Sequence, residues 1–505
     1  MNQQTNIPNH LTLCTVQQSR QMDEDTIEKF GIDGFTLMEI AASGAAGIIK
    51  KEQGENKSGL YVCGKGNNGG DALAVARYLV NQAGHEATVY MVMGNSDLSP
   101  DAGKNFSLLQ TMRNEGANIE FISDLDSTSL HDFDFLVDGI FGTGLNSNVR
   151  PPVSELIAHL NRFKGPVYAM DVPSGLNADT GLPLGISIKA ELTCTFGSNK
   201  IGFYLNQASQ YTGRVKVIDL PFPLHIRKHT AVLINDELAE MLPVHKKDSE
   251  HKYDGKVVHI LAGSEGLTGA AIMSAKSAWK SGAGAVFLYT PKKHMDLYEK
   301  TLPQVIKISL GKEADHFFQP NHAELIIENL NQKPGVLLVG PGLGDQPETG
   351  ECIEKVLDSF DGKAVIDADA FRYWPQLKDK PESKRENWML TPHKGEAKKY
   401  LGATFDNESD RIRWAKTFAN KNRLTLLLKG DPTVVCLPNG KCFITGYPTG
   451  MFTRAGFGDV LAGTIATNLS IYASDEQAVI KSLYSGYKTY SASDDNQVFG
   501  PEHLI

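Results

Sequence analysis

Short apolar runs recur along the chain at helix-sized intervals, and most end in clusters of Gly, Asp, Asn, Ser or Thr. In the first half, Leu60 to Cys63, Ala87 to Met93, Asn118 to Phe121, Phe135 to Val137, Val167 to Met170 and Glu191 to Phe196 read as strands. The same style returns at Val257 to Leu261, Ala285 to Thr290, Gly335 to Val339, Ala364 to Ile366, Trp388 to Leu390 and Leu424 to Leu428, without repeating the sequence. Between these runs, Ala72 to Leu79 and Thr268 to Trp279 space their apolar residues as helices do. Such alternation predicts an α/β fold with mostly parallel sheets under helices. Asp219-Leu220-Pro221-Phe222-Pro223-Leu224 closes the first block, and a polar stretch from Pro243 to Lys256 follows shortly. The boundary is expected near residue 225, with one domain over 1–225 and another over 226–505.

Composition narrows the class. At 505 residues, 41% hydrophobic and 22% charged, the chain is that of a multidomain globular protein. Lys plus Arg number 50 against 59 for Asp plus Glu, and the net charge of −9 argues against a nucleic-acid surface. Met1 to His10 lacks a basic lead and an apolar centre, and no apolar run reaches spanning length, so neither a secretory signal nor a membrane partner is expected. The six cysteines are dispersed without a CxxC pair, which predicts reduced, mostly structural thiols in a cytoplasmic protein. No coiled-coil pattern or interface stripe can be read, so a homo-oligomer is left open.

Chemistry is expected at the carboxyl ends of the strands, where open α/β sheets bind ligands. Gly64-Lys65-Gly66-Asn67-Asn68-Gly69-Gly70-Asp71 reads as a loop between the first strand and a helix, with four glycines that let backbone N–H groups approach an anion. A plain tight turn needs neither paired Asn nor Asp, so a ligand site is favoured. Asp138 and Asp171 stand at the ends of two further strands and converge on the same edge. This oxygen-rich set suits a hard cation, and equally a carboxylate whose burial tunes it for proton transfer. Residue type alone does not rank the two.

With Met22-Asp23 through Gly31-Ile32, Leu37-Met38-Glu39, Asp138 to Gly144 and Asp171-Val172-Pro173-Ser174-Gly175, the first block resembles the NAD(P)H-hydrate epimerase domain over roughly 15–220. The resemblance implies a Rossmann-like fold that cradles hydrated NADH or NADPH on Asn67, Asn68, Gly69, Gly70 and Asp71 and on Gly142, Thr143, Gly144, Leu145, Asn146, Ser147 and Asn148. It also implies potassium held by Asn68, Asp138 and Ser174, with Asp171 as both a substrate contact and the acid/base residue. Ala72 stands where members often have Gly.

In the second block, Ala262-Gly263-Ser264, Gly282-Ala283-Gly284, Gly340 to Gly344, Asp367-Ala368-Asp369, Thr391 to Glu396 and Lys429 to Thr433 collect at strand ends. The last motif runs from Thr449 to Asp459 before Val460-Leu461-Ala462-Gly463. Glycines at a helix N-terminus can hold a transferring phosphoryl group, and an adjacent Asp can take a proton from an attacking hydroxyl. A capping Asp would explain that motif alone. The full set resembles the ribokinase-like fold, and within it the NAD(P)H-hydrate dehydratase branch, over roughly 230–500.

That second resemblance implies that Ala270, Gly342, His393 and Asp459 bind the hydrated cofactor, with Asp459 catalytic. It assigns ADP to Lys429, Gly430, Asp431, Pro432 and Thr433, and to Thr449, Gly450, Met451, Phe452, Thr453, Arg454, Ala455, Gly456, Phe457 and Gly458, with Mg2+ in support. The expected enzyme interconverts R and S epimers in its first domain and dehydrates the S form in its second, giving AMP and phosphate. The alternative is a sugar or vitamin kinase with a fused nucleotide-sensing or scaffold domain. Phe452, Arg454 and Phe457 replace small residues in a loop one residue longer than usual, and Lys394 replaces a Pro. Arg454 could add a phosphate contact, or the bulkier side chains could narrow the pocket.

Overall fold

The computed structural model describes residues 7–125, 129–242, 256–493 and 498–505. The polar stretch expected from Pro243 falls almost wholly outside the described residues, as do Met1 to Asn6 of the expected non-signal amino terminus. The chain divides into two compact units, Asn6–Val232 and Leu233–Ile505. Among the described residues, no helix is long and apolar enough to cross a membrane.

The first unit is built on parallel strands β1 (Ser58–Cys63), β2 (Glu86–Met91), β3 (Ile119–Ile122), β4 (Phe135–Gly139), β5 (Val167–Met170), β6 (Leu192–Phe196) and β7 (Arg214–Ile218). Their order in the sheet is β3-β2-β1-β4-β5-β6-β7. Both faces of the central strands β1, β4, β5 and β6 are buried, which is why their runs are continuously apolar. Along β1, Tyr61 and Cys63 join one core cluster, while Leu60 and Val62 join another. Helices α1 (Val16–Phe30), α2 (Gly34–Gln53) and α3 (Asn67–Ala83) belong to this unit, and α2 and α3 supply the alanine-rich side of the first cluster. Thr15 with Gln18 forms a capping box for α1, and Asp33 caps α2.

The second unit contains β8 (Val257–Leu261), β9 (Ala285–Pro291), β10 (Ile306–Leu310), β11 (Val336–Val339), β12 (Ala364–Ile366), β13 (Trp388–Leu390), β14 (Thr425–Leu428), β15 (Val434–Cys436) and β16 (Cys442–Thr445). These run in the order β10-β9-β8-β11-β12-β13-β14-β15-β16, parallel through β14 and antiparallel beyond it. The helices that shape its site are α4 (Thr268–Lys280), α5 (Lys394–Tyr400), α6 (Glu408–Asn422), α7 (Phe457–Ile471) and α8 (Asp475–Ser491). Both units are thus layered α/β structures built on mostly parallel sheets.

The structure corrects the sequence reading in three places. Asn67 to Asp71 are not a loop: α3 begins at Asn67, and likewise α7 begins at Phe457, ahead of Asp459. Glycine is a poor helix former, but close packing at these helix starts overrides its propensity. Strands β7, β10, β15 and β16 went unread. β7 and β10 lie at sheet edges and carry Arg, Lys and Ser among their apolar residues, while the hairpin strands are very short. The expectation of wholly reduced thiols also fails, because the hairpin register pairs Cys436 with Cys442 at a Cα separation of 4.3 Å and the two form a disulfide. Cys14, Cys63, Cys194 and Cys352 are buried free thiols.

Candidate functional site

In the first unit, β1 and α3 approach so closely that side chains are excluded. A Cβ on Gly64 would lie 2.0 Å from the Ile140 carbonyl oxygen, and one on Gly69 1.9 Å from that of Gly64. The junction places Asn68 over the end of β4. Its Nδ2 donates to the Phe141 carbonyl (3.0 Å), while its buried Oδ1 has no partner among the described residues. Beneath it, the fully buried Asp138 accepts from Ser174 N (2.8 Å), Ser174 Oγ (2.5 Å) and Ile140 N (3.2 Å). Burial nonetheless pushes its carboxyl up to about 6.

Asp171 follows β5 with φ at +56°, a left-handed conformation uncommon outside glycine. Its Oδ1 accepts from Lys200 Nζ (2.6 Å), Thr195 Oγ1 (3.2 Å) and Phe196 N (3.3 Å). Lys200 is 1% exposed and held where Asn199–Lys200 lies parallel to Thr12–Cys14. A cavity of about 810 Å³ opens over Asp171, lined also by Asp23, Asn67, Asn68, Asp71 and Lys200. Burial raises Asp71 well above the usual carboxylate range, and the charges of Asp171 and Asp23 add to it. Asp23 rises to about 6 through burial, opposed by Lys200.

Gly142, Thr143, Gly144 and Leu145 reach the cavity, with Arg20 donating to the Thr143 carbonyl (2.7 Å). Asn146, Ser147 and Asn148 are exposed and do not line it. Gly69 and Gly70 pack against Gly64 and Met38 instead of lining it, and the fully buried Asp138 and Ser174 do not line it either. Sequence reasoning missed Lys200 and the acidic role of Asp23. The available signal for Lys200 was a lysine between a strand and the apolar Ile201-Gly202-Phe203.

The second unit gathers a cavity of about 1000 Å³ at the carboxyl ends of its central strands. Lys429 Nζ donates to Asp367 Oδ1 (3.0 Å), which also accepts from Thr391 Oγ1 (2.8 Å). Burial works against the Lys429 ammonium, but Asp367 and Glu396 outweigh it and hold its pKa above the ordinary value. Asp459 lies in the first turn of α7, where backbone N–H groups lack helical acceptors. Burial, then the charges of Asp367, Asp369 and Glu396, lift its carboxyl to about 7, with Lys429 opposing.

His393 caps α5: its Nδ1 accepts from Gly395 N (2.9 Å) and Glu396 N (3.2 Å), and Glu396 accepts from His393 N (2.8 Å). With Nδ1 accepting, a neutral ring carries its proton on Nε2, which lies 3.5 Å from Glu396 Oε1, and His393 lines the cavity. Thr449 joins the two nucleotide segments through Oγ1 to the Gly430 carbonyl (2.6 Å) and N to Asp431 Oδ1 (3.2 Å). Lys429 to Asp431, Thr433, Thr449, Gly450 and Phe452 to Asp459 all line this cavity. Pro432, Met451, Ala270 and Gly342 do not. Ala270 and Gly342 pack on one another, and Gly342 accepts from Ser264 Oγ (3.0 Å).

The unusual bulky residues have their own structural partners. Phe457 stacks on Phe499 (5.7 Å), Phe452 meets Phe457 edge-on (5.4 Å), and Arg454 donates to the Phe499 carbonyl (3.3 Å). Chemically, one cavity offers a fixed carboxylate beside an oxygen-rich pocket. The other offers a near-neutral carboxyl between a helix N-terminus and a lysine.

Comparison with known proteins is consistent along the chain. Residues 34–202 match the family model described as YjeF-related protein N-terminus, and residues 258–504 match the one described as NAD(P)H-hydrate dehydratase. The chain is 32% identical over 510 residues to the bifunctional NAD(P)H-hydrate repair enzyme Nnr of Salinibacter ruber, covering 96% of this chain and 93% of that one. The enzyme of the same description from Moorella thermoacetica is 33% identical over 471 residues, covering 90% and 87%. Among solved structures, an ADP/ATP-dependent NAD(P)H-hydrate dehydratase from Bacillus subtilis, co-crystallised with ATP and Mg2+, has 21% identity and a TM-score of 0.43, covering 54% of this chain and 94% of that chain. With relatives this similar over almost its whole length, the protein belongs to the bifunctional NAD(P)H-hydrate repair enzymes.

Proposed function

We infer that the first unit interconverts the R and S epimers of hydrated NADH and NADPH, and that the second dehydrates the S epimer with ADP. The observation carrying the reading is Asp459, poised at about 7 beside Lys429 in a nucleotide-sized cavity. Asp459 takes the proton of the substrate's ring hydroxyl as that oxygen attacks the terminal phosphorus of ADP, and AMP departs. The ring C–O bond then breaks with phosphate as leaving group and a proton is lost from the neighbouring ring carbon, which restores the reduced nicotinamide. Lys429 and the N–H groups at the start of α7 stabilise the phosphoryl charge. Among the described residues no three carboxyl, His or Cys side chains are placed to hold a metal ion by themselves; Mg2+ carried on the nucleotide's phosphates needs only one or two carboxylates, and Asp367 and Glu396 at the cavity wall would supply them.

In the first unit, Asp171 moves the proton at the hydroxylated ring carbon. The donor set beside it fits potassium, because Asn68 Oδ1 is buried without a partner over the Asp138 carboxylate and Ser174 Oγ. Asn68, Asp138 and Ser174 would hold the ion, which supplies positive charge to the dinucleotide-binding wall. Gly66, Asn67 and the 142–145 loop orient the substrate.

One assay tests both halves. Mixed epimers of hydrated NADH are incubated with the protein, K+, Mg2+ and either ADP or ATP, and NADH absorbance is followed. Complete recovery is expected. Recovery stalling partway would refute the first activity, and none with either nucleotide would refute the second; phosphorylation of a small alcohol instead would favour a kinase.

A further inference from the structure

Lys200 is an ammonium at the wall of the first cavity whose donors are all engaged inside the protein. Nζ donates to Asp171 Oδ1 (2.6 Å), Thr195 Oγ1 (2.8 Å) and the Phe196 carbonyl (3.1 Å). At 1% exposure it has no donor left for a ligand. Asp171 shows the complementary pattern, since every donor that reaches it among the described residues goes to Oδ1. Its backbone is pinned in the left-handed region by a hydrogen bond from its N–H to the Cys194 carbonyl (2.8 Å). Oδ2 is therefore the oxygen presented to the substrate. The other charged groups around the cavity are Asp23, Glu24 and Arg20 from α1, Asp71 from α3 and Lys65 from the β1–α3 turn. Asp23 and Asp71 act on Asp171 through their charge, and among the described residues Lys200 is the one cation bonded to it.

We propose that Lys200 is a positioning residue for epimerisation, which fixes Oδ1 of Asp171 and so aims Oδ2 in one direction as the proton acceptor. The proposal rests on the reading of Asp171 as the acid/base group. Oδ2 takes the proton of the ring hydroxyl as the C–N bond of the hydrated ring breaks to give an open aldehyde, and hands it to the freed nitrogen; closure of the C–N bond on the other face of the aldehyde reverses both transfers, so Asp171 ends as it began and Lys200 exchanges no proton. A lysine serving only to fill space would be replaced by Met, an unbranched side chain of similar length, without loss of kcat.

The test follows epimer interconversion by proton NMR without nucleotide, so that the dehydratase is silent, in the full chain with K+. In Lys200→Met, kcat is expected to fall about 100-fold with KM little changed. Lys200→Arg, which keeps donors for Oδ1, is expected to recover part of the lost kcat. On an Asp171→Asn background Lys200→Met should cause no further loss, and that double variant leaves no unpaired buried charge if the single one fails to fold. An unchanged kcat in Lys200→Met, or losses that multiply in the double variant, would overturn the role of Lys200 alone. Interconversion that survives Asp171→Asn would overturn the underlying reading and the proposal with it.

Discussion

Replacing Asp459 with Asn should stabilise the protein while abolishing dehydration. Its carboxyl is raised from 3.8 to about 7 by burial and by Asp367, Asp369 and Glu396. That difference corresponds to about 4 kcal/mol against the ionised form, an upper bound that half-burial at a cavity wall reduces to about 1–3 kcal/mol. The sign follows from linkage: the folded state binds this proton more tightly than the unfolded chain, so the contribution is fully present below about pH 4 and is lost as pH rises through about 7. Asn cannot ionise, and the variant escapes that loss. Urea unfolding of the second unit should therefore show Asp459→Asn more stable than the parent at about pH 8, with the advantage vanishing near pH 4. The parent's dehydratase kcat/KM should fall below about pH 7 as the base is protonated, while the variant loses about 10²–10⁴-fold at every pH. An Asn variant no more stable at high pH, or a flat profile through neutrality, would refute the reasoning.

Two further outcomes bear on the sites. Potassium should raise the melting temperature of the first unit and speed epimerisation, and Asn68→Leu, which deletes the unpartnered Oδ1, should remove both responses while leaving dehydration of pure S epimer intact. Gly340→Ala should destabilise the second unit by about 2 kcal/mol or more and depress the dehydratase alone. Gly340 has φ at +136°, and a Cβ there would meet the Asp367 carbonyl oxygen at 1.7 Å, displacing the carboxylate that holds Lys429. Chemical denaturation and separate assays of the two activities check it.

Much of the architecture is legible because buried parallel strands write themselves as uninterrupted apolar runs. Val167–Met170, Val257–Leu261, Ala364–Ile366 and Trp388–Leu390 match their expected spans. Edge strands escape this signal: Arg214–Ile218 alternates exposed charge with partly buried valine, since one of its sides has no partner strand. The disulfide was likewise hidden. Six residues of spacing say nothing until the hairpin register sets Cys436 opposite Cys442.

The candidate residues at strand ends were visible for the same reason, as polar groups interrupting an apolar pattern. What the local pattern could not say is which of them face one another. Asn146 to Asn148 and Asn67 look equally suited to a dinucleotide in sequence, yet only Asn67 lines the cavity. His393 reads as a lone loop histidine, and only the fold makes it the cap of α5 at the cavity wall.

Sequence alone thus determined the element types, the α/β class and the inventory of reactive groups, because periodicity and turn chemistry are properties of neighbours along the chain. Tertiary structure decided the chemistry. Lys200 meets Asp171 because β5 lies beside β6, and Asp459 rises to about 7 because burial sets it among Asp367, Asp369, Glu396 and Lys429. Burial and charge proximity are properties of three-dimensional packing, and they convert an ordinary aspartate into an acid or a base.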